Sequence, residues 1–479
     1  MMSAAPRIDV GLRSERGPIL AALMLATALV ALESTILATA VPTIVADLGG
    51  FTQFPWLFSS YLLTQAVLVP VYGKVSDVYG RKPVLLFGIA LFALGSALCA
   101  LAWSMPALIA FRAVQGLGAG AVLPMAQTIA GDIYTVAERA KAQGYLASVW
   151  GMSAIVGPAV GGVFSDYVSW RWIFWVNLPL CALAAGVLLR AFAEPRPPAA
   201  RRRVDLAGAA TLATGSGLLI LGLLEGGQAW AWASAPSAGV FAAGTTLLLL
   251  FVWVERRAPE PILPPWVFAR RVVLTSSAVA ALVGAVVLGL TSYVPAFVQG
   301  SLGTTALVAG FTLSTMTIGW PLAAARSGWF YLRIGFRNTA MIGSVPVLAG
   351  TGLLTLLDER SPVWHVAVCC VLVGLGMGLI ASPALISAQS SVTWAERGVV
   401  TGAYSFARSI GSAVGVAVFG ALANSALAAD GVAGSGPLEP ERLADAVAPV
   451  FVALLVAAVG LAVTAATMPN RPAEPPGTP

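Results

Sequence analysis

The stretch Gly73-Lys74-Val75-Ser76-Asp77-Val78-Tyr79-Gly80-Arg81-Lys82 stands between two apolar runs, 54–73 and 83–103. A helix needs about 20 apolar residues to cross a bilayer core of roughly 30 Å, so the polar stretch reads as the turn that joins two spans. Two glycines bracket an acid, and paired basic residues follow. That pattern describes either a plain polar turn or a tight helix connection with specific bonds.

The same alternation continues along the chain. Its 479 residues are 58% hydrophobic and 10% charged, with a mean hydropathy of +0.86, which is more apolar surface than soluble packing can hide. Apolar runs between charged or Pro/Gly breaks give fourteen spans, at 17–41, 54–73, 83–103, 106–130, 141–165, 171–192, 205–227, 236–255, 271–295, 304–329, 338–357, 362–387, 396–424 and 445–468. The first is read as a retained helix, not a cleaved signal.

An even number of spans puts both termini on one side, and the basic residues indicate which. Arg7, Arg13 and Arg16, Arg471, and alternate connections carrying residues such as Lys82, Lys141, Arg196, Arg201 to Arg203, Arg257 and Arg337 hold most of the positive charge. The opposite connections hold Arg171, Arg360 and Arg442. By the positive-inside rule both termini are cytoplasmic. Few lysines and abundant Ala and Gly suggest a high-G+C bacterial genome, hence a bacterial plasma (inner) membrane.

An internal repeat divides the chain. Ala137-Glu138-Arg139 followed by Gly144, Gly157 and Gly162 matches Ala395-Glu396-Arg397 followed by Gly402, Gly415 and Gly420, all 258 residues apart. This relates spans 1–6 to spans 9–14 in the same orientation. The reading is a tail at 1–16, a six-helix half at 17–192, two inserted helices with Pro- and Arg-rich linkers at 193–260, a second six-helix half at 261–468, and a tail at 469–479.

Several classes are excluded or disfavoured. The net charge of +6 is spread among loops, so no nucleic-acid patch forms. Cys99, Cys181, Cys369 and Cys370 fall in apolar runs as small buried hydrophobes, with neither disulfide nor zinc spacing. The one histidine, His365, reads as interfacial, and no metal site is expected. No phosphate loop supports a primary pump, and no nucleophile–base pair marks an enzyme.

Glu33 is the one acid well inside a span. Helical rise puts it roughly 12 Å from the outer end of span 1, and Arg112 roughly 9 Å from that of span 4, so the two charges can share a level. An ionisable group at such depth is costly unless paired or facing a water-filled cavity. Burial and a nearby guanidinium act on a carboxyl's proton affinity in opposite directions. Glu33 therefore reads as a proton carrier regulated by Arg112, with substrate-cation binding and a structural pairing as alternatives.

Taken together, these motifs resemble the major facilitator superfamily. The loop at 73–82 resembles its signature loop between spans 2 and 3; Arg112-Ala113-Val114-Gln115-Gly116 resembles its Arg-x-x-Gln-Gly motif; and Gly157-Pro158-Ala159-Val160-Gly161-Gly162 resembles its antiporter motif. With Leu32 to Pro42 in span 1 and Trp170-Arg171-Trp172-Ile173-Phe174-Trp175-Val176-Asn177-Leu178-Pro179 at span 6, nearly the whole chain is similar to the fourteen-span drug:proton antiporters. The resemblance implies an all-α fold of two six-helix halves plus two inserted helices. It also implies a cytoplasmic latch of Gly73, Asp77, Gly80, Arg81 and Asp132 that holds the outward-open state, with Asp77 near the N-terminus of span 13. Gly157, Pro158, Gly161 and Gly162 pack and bend span 5. Two departures stand out: Glu33 replaces the family's usual Asp, and Leu332 replaces the counterpart of Asp77.

Thr35, Tyr61, Gln65, Gln115, Trp150, Tyr293, Trp320, Tyr404 and Arg408 are candidates to line a substrate cavity. Arg408, deep in span 13, suits an anionic group or a lipid phosphate. The expected function is proton-coupled export of hydrophobic compounds, cations among them, by alternating access. The chain would act as a monomer without a cofactor, with the proton gradient as its energy source. A lipid or lipid-linked glycan translocator on the same fold is the alternative.

Overall fold

The computed structural model describes residues 10–49, 53, 56–194, 205–227, 229–429 and 440–470. The charges read at Arg7, Arg196, Arg201 to Arg203 and Arg471, and the ring of Pro158, lie outside this description. Among the described residues the helices are, in order, α1 (Gly17–Leu48), α2 (Trp56–Val67), α3 (Val69–Tyr79), α4 (Arg81–Ala100), α5 (Met105–Ile133), α6 (Val136–Tyr167), α7 (Trp172–Trp175), α8 (Asn177–Ala191), α9 (Leu206–Glu225), α10 (Ala235–Glu255), α11 (Trp266–Ala269), α12 (Arg271–Gly300), α13 (Ala306–Ile334), α14 (Phe336–Leu354), α15 (Val363–Ser390), α16 (Arg397–Ala429) and α17 (Pro440–Thr467).

Twelve helical stretches among the described residues are long and apolar enough to cross a membrane. The fourteen read from the sequence include two more. The run at 54–73 is divided at Leu68 into α2 and α3, where Pro70 opens the second helix without a backbone N–H to continue the first. The run at 338–357 falls on α14, 19 residues long, whose first turn carries the polar Arg337, Asn338 and Thr339 after Phe336.

Helices α1 to α8 close around buried apolar cores that include Leu23, Leu29, Phe92, Val122, Met125, Leu108 and Phe174. Helices α12 to α17 close around another, with Val286, Phe297, Met377 and Phe451. The two bundles meet where α6 lies along α13 and α3 along α16, while α9 and α10 pack on each other and α9 reaches α2 and α16.

The internal repeat has a local physical basis. Thr135 and Glu138 form a capping box at the start of α6, and Thr393 and Glu396 form the same box in the short 3-10 turn before α16. Each box satisfies backbone N–H groups that the first helical turn cannot pair internally. Each Glu also takes the Arg that precedes its bundle's first helix: Arg16 to Glu138 at 3.0 Å and Arg270 to Glu396 at 3.6 Å.

The loops after the second span of each bundle also match. Gly80 (φ 102°) and Gly335 (φ 87°) both adopt the left-handed backbone that favours glycine. Beside Gly80, Glu194 accepts from the N–H of Arg81 at 2.6 Å and of Lys82 at 2.9 Å. Beside Gly335, Asn470 accepts from the N–H of Phe336 at 3.0 Å through its carbonyl oxygen. In each bundle the segment after the last helix thus pairs N–H groups that the first turn of the third span leaves without an internal partner.

Candidate transport site

A closed polar network lies in the core of the first bundle. Arg112 on α5 pairs with Glu33 on α1 through Nη1 and Oε1, and both are fully buried. The same Nη1 donates to Gln115 Oε1 at 2.6 Å, and Nε donates to the Leu57 carbonyl at 3.0 Å. The guanidinium also lies 4.2 Å over the Tyr61 ring. The second Glu33 oxygen accepts from Asn177 Nδ2 of α8 at 2.7 Å, while Gln115 Nε2 donates to Ser96 Oγ of α4 at 2.7 Å. Helices α1, α2, α4, α5 and α8 therefore converge on one ion pair. Removing one partner of such a buried pair costs roughly 3–5 kcal/mol.

A second network joins the bundles at one end. Asp77 Oδ1 and Oδ2 accept from the N–H groups of Gly398 and Val399 at 2.9 and 2.8 Å, in the first turn of α16. The positive end of a helix dipole favours an anion there. Arg81 pairs with Asp77 at 2.7 Å and Asp132 at 3.1 Å, stacks 3.7 Å over the Trp394 ring and donates to the Trp394 carbonyl. Arg397 reaches back to Asp132 at 2.7 Å. The repeat counterpart of that bond is Arg139 to Ser390 Oγ, at 3.0 Å. Ser390 stands 258 residues after Asp132, so the second bundle has a hydroxyl where the first has an acid, just as it has Leu332 where the first has Asp77.

Close helix approach fixes two glycines here. A Cβ on Gly398 would stand 2.6 Å from Asp77 Oδ1, and one on Gly73 would stand 2.5 Å from the Gly398 carbonyl oxygen.

Between the bundles lies a cavity of about 320 Å³ lined by α1, α5, α6, α12, α13, α15 and α16. Of the residues read as cavity candidates, Trp150, Trp320, Tyr404 and Arg408 line it. Five others are placed elsewhere. Tyr61 and Gln115 are drawn into the Arg112 network, since a buried guanidinium needs acceptors and an aromatic face close by. Thr35 donates to the Ser153 carbonyl at 3.0 Å and packs at Gly157. Gln65 sits where α2 passes Gly120, and Tyr293 meets Phe419 edge-to-face at 6.5 Å. Of the α6 glycines, Gly157 lets Thr35 approach and Gly161 is buried, whereas the Cβ position of Gly162 meets nothing within 4 Å, so close packing does not explain it.

The sequence reading missed Asn177 as the partner of Glu33, although it stood in a quoted motif, because a neutral amide carries no charge signal. Ser96 gave no signal at all. The repeat marks Arg397 without pointing to Asp132 as its partner, and Gln127, Gln143 and Ser412 of the cavity carry no sequence signal.

Two parallel six-helix bundles with a cavity between them and an ion pair buried in one define a membrane transporter. The chain belongs to the major facilitator superfamily, whose family model matches residues 23–416. It is similar to multidrug resistance protein 3 of Bacillus subtilis (strain 168), 36% identical over 399 residues, which cover 83% of this chain and 78% of that one. It is also similar to the multidrug transporter protein MdtP of the same organism, 35% identical over 415 residues, or 87% and 76% of the two chains. Among solved structures, the human organic anion transporter MFSD10 has the same fold, with a TM-score of 0.63 at 17% identity and coverage of 93% of this chain and 99% of that one.

Proposed function

We propose that the chain is a proton-coupled exporter of hydrophobic drug-sized compounds, working by alternating access across a bacterial inner membrane with fourteen spans and both termini in the cytoplasm. The observation that carries the reading is the Glu33–Arg112 pair, sealed inside the first bundle on two helices that also line the central cavity, α1 through Thr27 and α5 through Leu123 and Gln127. Protonating Glu33 would strip Arg112 of its counter-charge inside a dry core, so the network must rearrange with the proton. Because α1 and α5 carry both the pair and cavity wall, that rearrangement reaches the substrate site. The names of the two Bacillus relatives support multidrug export, and the cavity volume lies in the range of small-molecule sites.

In this reading the Asp77–Arg81–Asp132 network is the cytoplasmic latch of the outward-facing state. Opening it exchanges its charge-assisted bonds for water, and reloading of Glu33 from the outer side resets the cycle.

The test is transport by the purified full-length protein in inverted proteoliposomes. An acid lumen should drive uptake of a fluorescent hydrophobic drug, and a protonophore should abolish it. Uptake indifferent to the gradient, or movement of a labelled phospholipid in place of the drug, contradicts the reading.

A further inference from the structure

Resting on the export reading, we propose that the central cavity selects amphiphilic aromatic compounds that carry an anion, with Arg408 as the residue that binds the negative group. The cavity holds Trp150 of α6 and Trp320 of α13, one from each bundle, and a single charged lining residue, Arg408 of α16. No acidic side chain lines it among the described residues. The buried carboxylate of the first bundle, Glu33, is engaged by Arg112 and Asn177 and is not part of the cavity lining. Nor does Arg408 form an ion pair or hydrogen bond among those found in the described residues, unlike Arg81, Arg112, Arg139 and Arg397, each of which has partners.

A guanidinium without a counter-ion, deep in a membrane protein, is costly unless it meets water or a ligand of opposite charge. It presents a planar fork of donors that matches a carboxylate or sulfonate in a bidentate way. A cationic ligand in the same cavity would be repelled by it and would find no carboxylate to answer its charge. The indole faces of Trp150 and Trp320 supply apolar area for an aromatic body. The Oε1 atom of Gln127, buried in the cavity wall without a hydrogen-bond partner, offers an acceptor for a donor on the ligand. Of the readings the sequence offers, this takes the anionic group at Arg408 and leaves out the cations.

The test uses three probes with one aromatic body: 2-naphthylacetate, 2-naphthylethanol and (2-naphthylmethyl)trimethylammonium. Each is radiolabelled and bound at equilibrium to the full-length protein in lipid nanodiscs, with empty nanodiscs as background. The parent should bind the carboxylate at least about tenfold tighter than the ammonium. In Arg408→Gln the carboxylate-to-alcohol affinity ratio should fall about tenfold, and Arg408→Lys should keep most of the preference. Thermal unfolding of each variant verifies that it is folded. Tighter binding of the ammonium by the parent, an unchanged ratio in Arg408→Gln, or binding of none of the probes by folded protein overturns the proposal. Gradient-driven transport of the same probes in proteoliposomes separates the two claims. Export that prefers the ammonium refutes the anion site and leaves export standing. Arg408-dependent carboxylate binding without export refutes export and leaves the anion site standing.

Discussion

Asp77 accepts from the backbone N–H groups of Gly398 and Val399 at 2.9 and 2.8 Å, so one carboxylate of the first bundle fastens the N-terminus of α16 in the second. Hydrogen bonds to a charged group contribute about 1.5–3 kcal/mol each, and 1.4 kcal/mol is tenfold in a population. Asp77→Asn should therefore shift the protein by about tenfold or more toward the state open at this end. Spin labels at the exposed positions Tyr79 and Leu332 report the separation of the bundles there. Identical distance distributions in variant and parent would remove Asp77 from the latch.

The same contact makes a steric prediction. A methyl group on Gly398 must displace Asp77 Oδ1 or part α16 from α3, whereas at Gly162 it meets open space. Gly398→Ala should lower the latched population and cut transport at least tenfold, while Gly162→Ala stays within about twofold of the parent. The comparison is made as initial rates per folded protein. Equal rates in the two variants would mean that the close approach of α3 and α16 has no functional weight.

Asn177 gives a prediction that the sequence alone did not suggest. It donates to Glu33 at 2.7 Å inside the core, and a buried carboxylate oxygen left without its donor costs about 1–3 kcal/mol. Asn177→Ala should lower thermal stability by that order and impair gradient-driven transport. Asn177→Gln should recover part of both, because it restores a donor amide. Thermal unfolding and proteoliposome transport, measured side by side, check this.

What the sequence made legible follows from how strongly each feature is written in it. Bilayer spans are written in composition, and the repeat in residues that glycine geometry and capping require, Gly80 and Gly335, Glu138 and Glu396. Charged partners such as Glu33 with Arg112 and Asp77 with Arg81 could be placed by helical depth and by resemblance. The break at Leu68 and the polar start of α14 are local, and run-length counting passes over them. The cavity wall was poorly legible because Tyr61 and Trp150 are the same kind of residue in sequence. Only the three-dimensional path of α2 and α6 sends one to Arg112 and the other to the cavity.

Orientation is tested by labelling. The native cysteines are free and buried, so single cysteines at Glu260 and at the exposed Arg360 report sidedness against a low background. Position 260 should react with a membrane-impermeant maleimide only in inverted vesicles, and position 360 only in intact cells. The reverse pattern would invert the topology and place the Asp77 network on the outside.

In the proposed mechanism Glu33 carries the coupled proton. Glu33→Gln keeps the side chain's size but cannot take up or release a proton, and its amide oxygen can accept from only one of the two donors, Arg112 and Asn177, that the carboxylate engages. The direct measurement is substrate-dependent proton movement in proteoliposomes, parent against Glu33→Gln, with Glu33→Asp as the ionisable control. Proton movement should disappear in Glu33→Gln while substrate binding persists, and Glu33→Asp should retain a part of it. Undiminished proton movement in Glu33→Gln would contradict this role for Glu33.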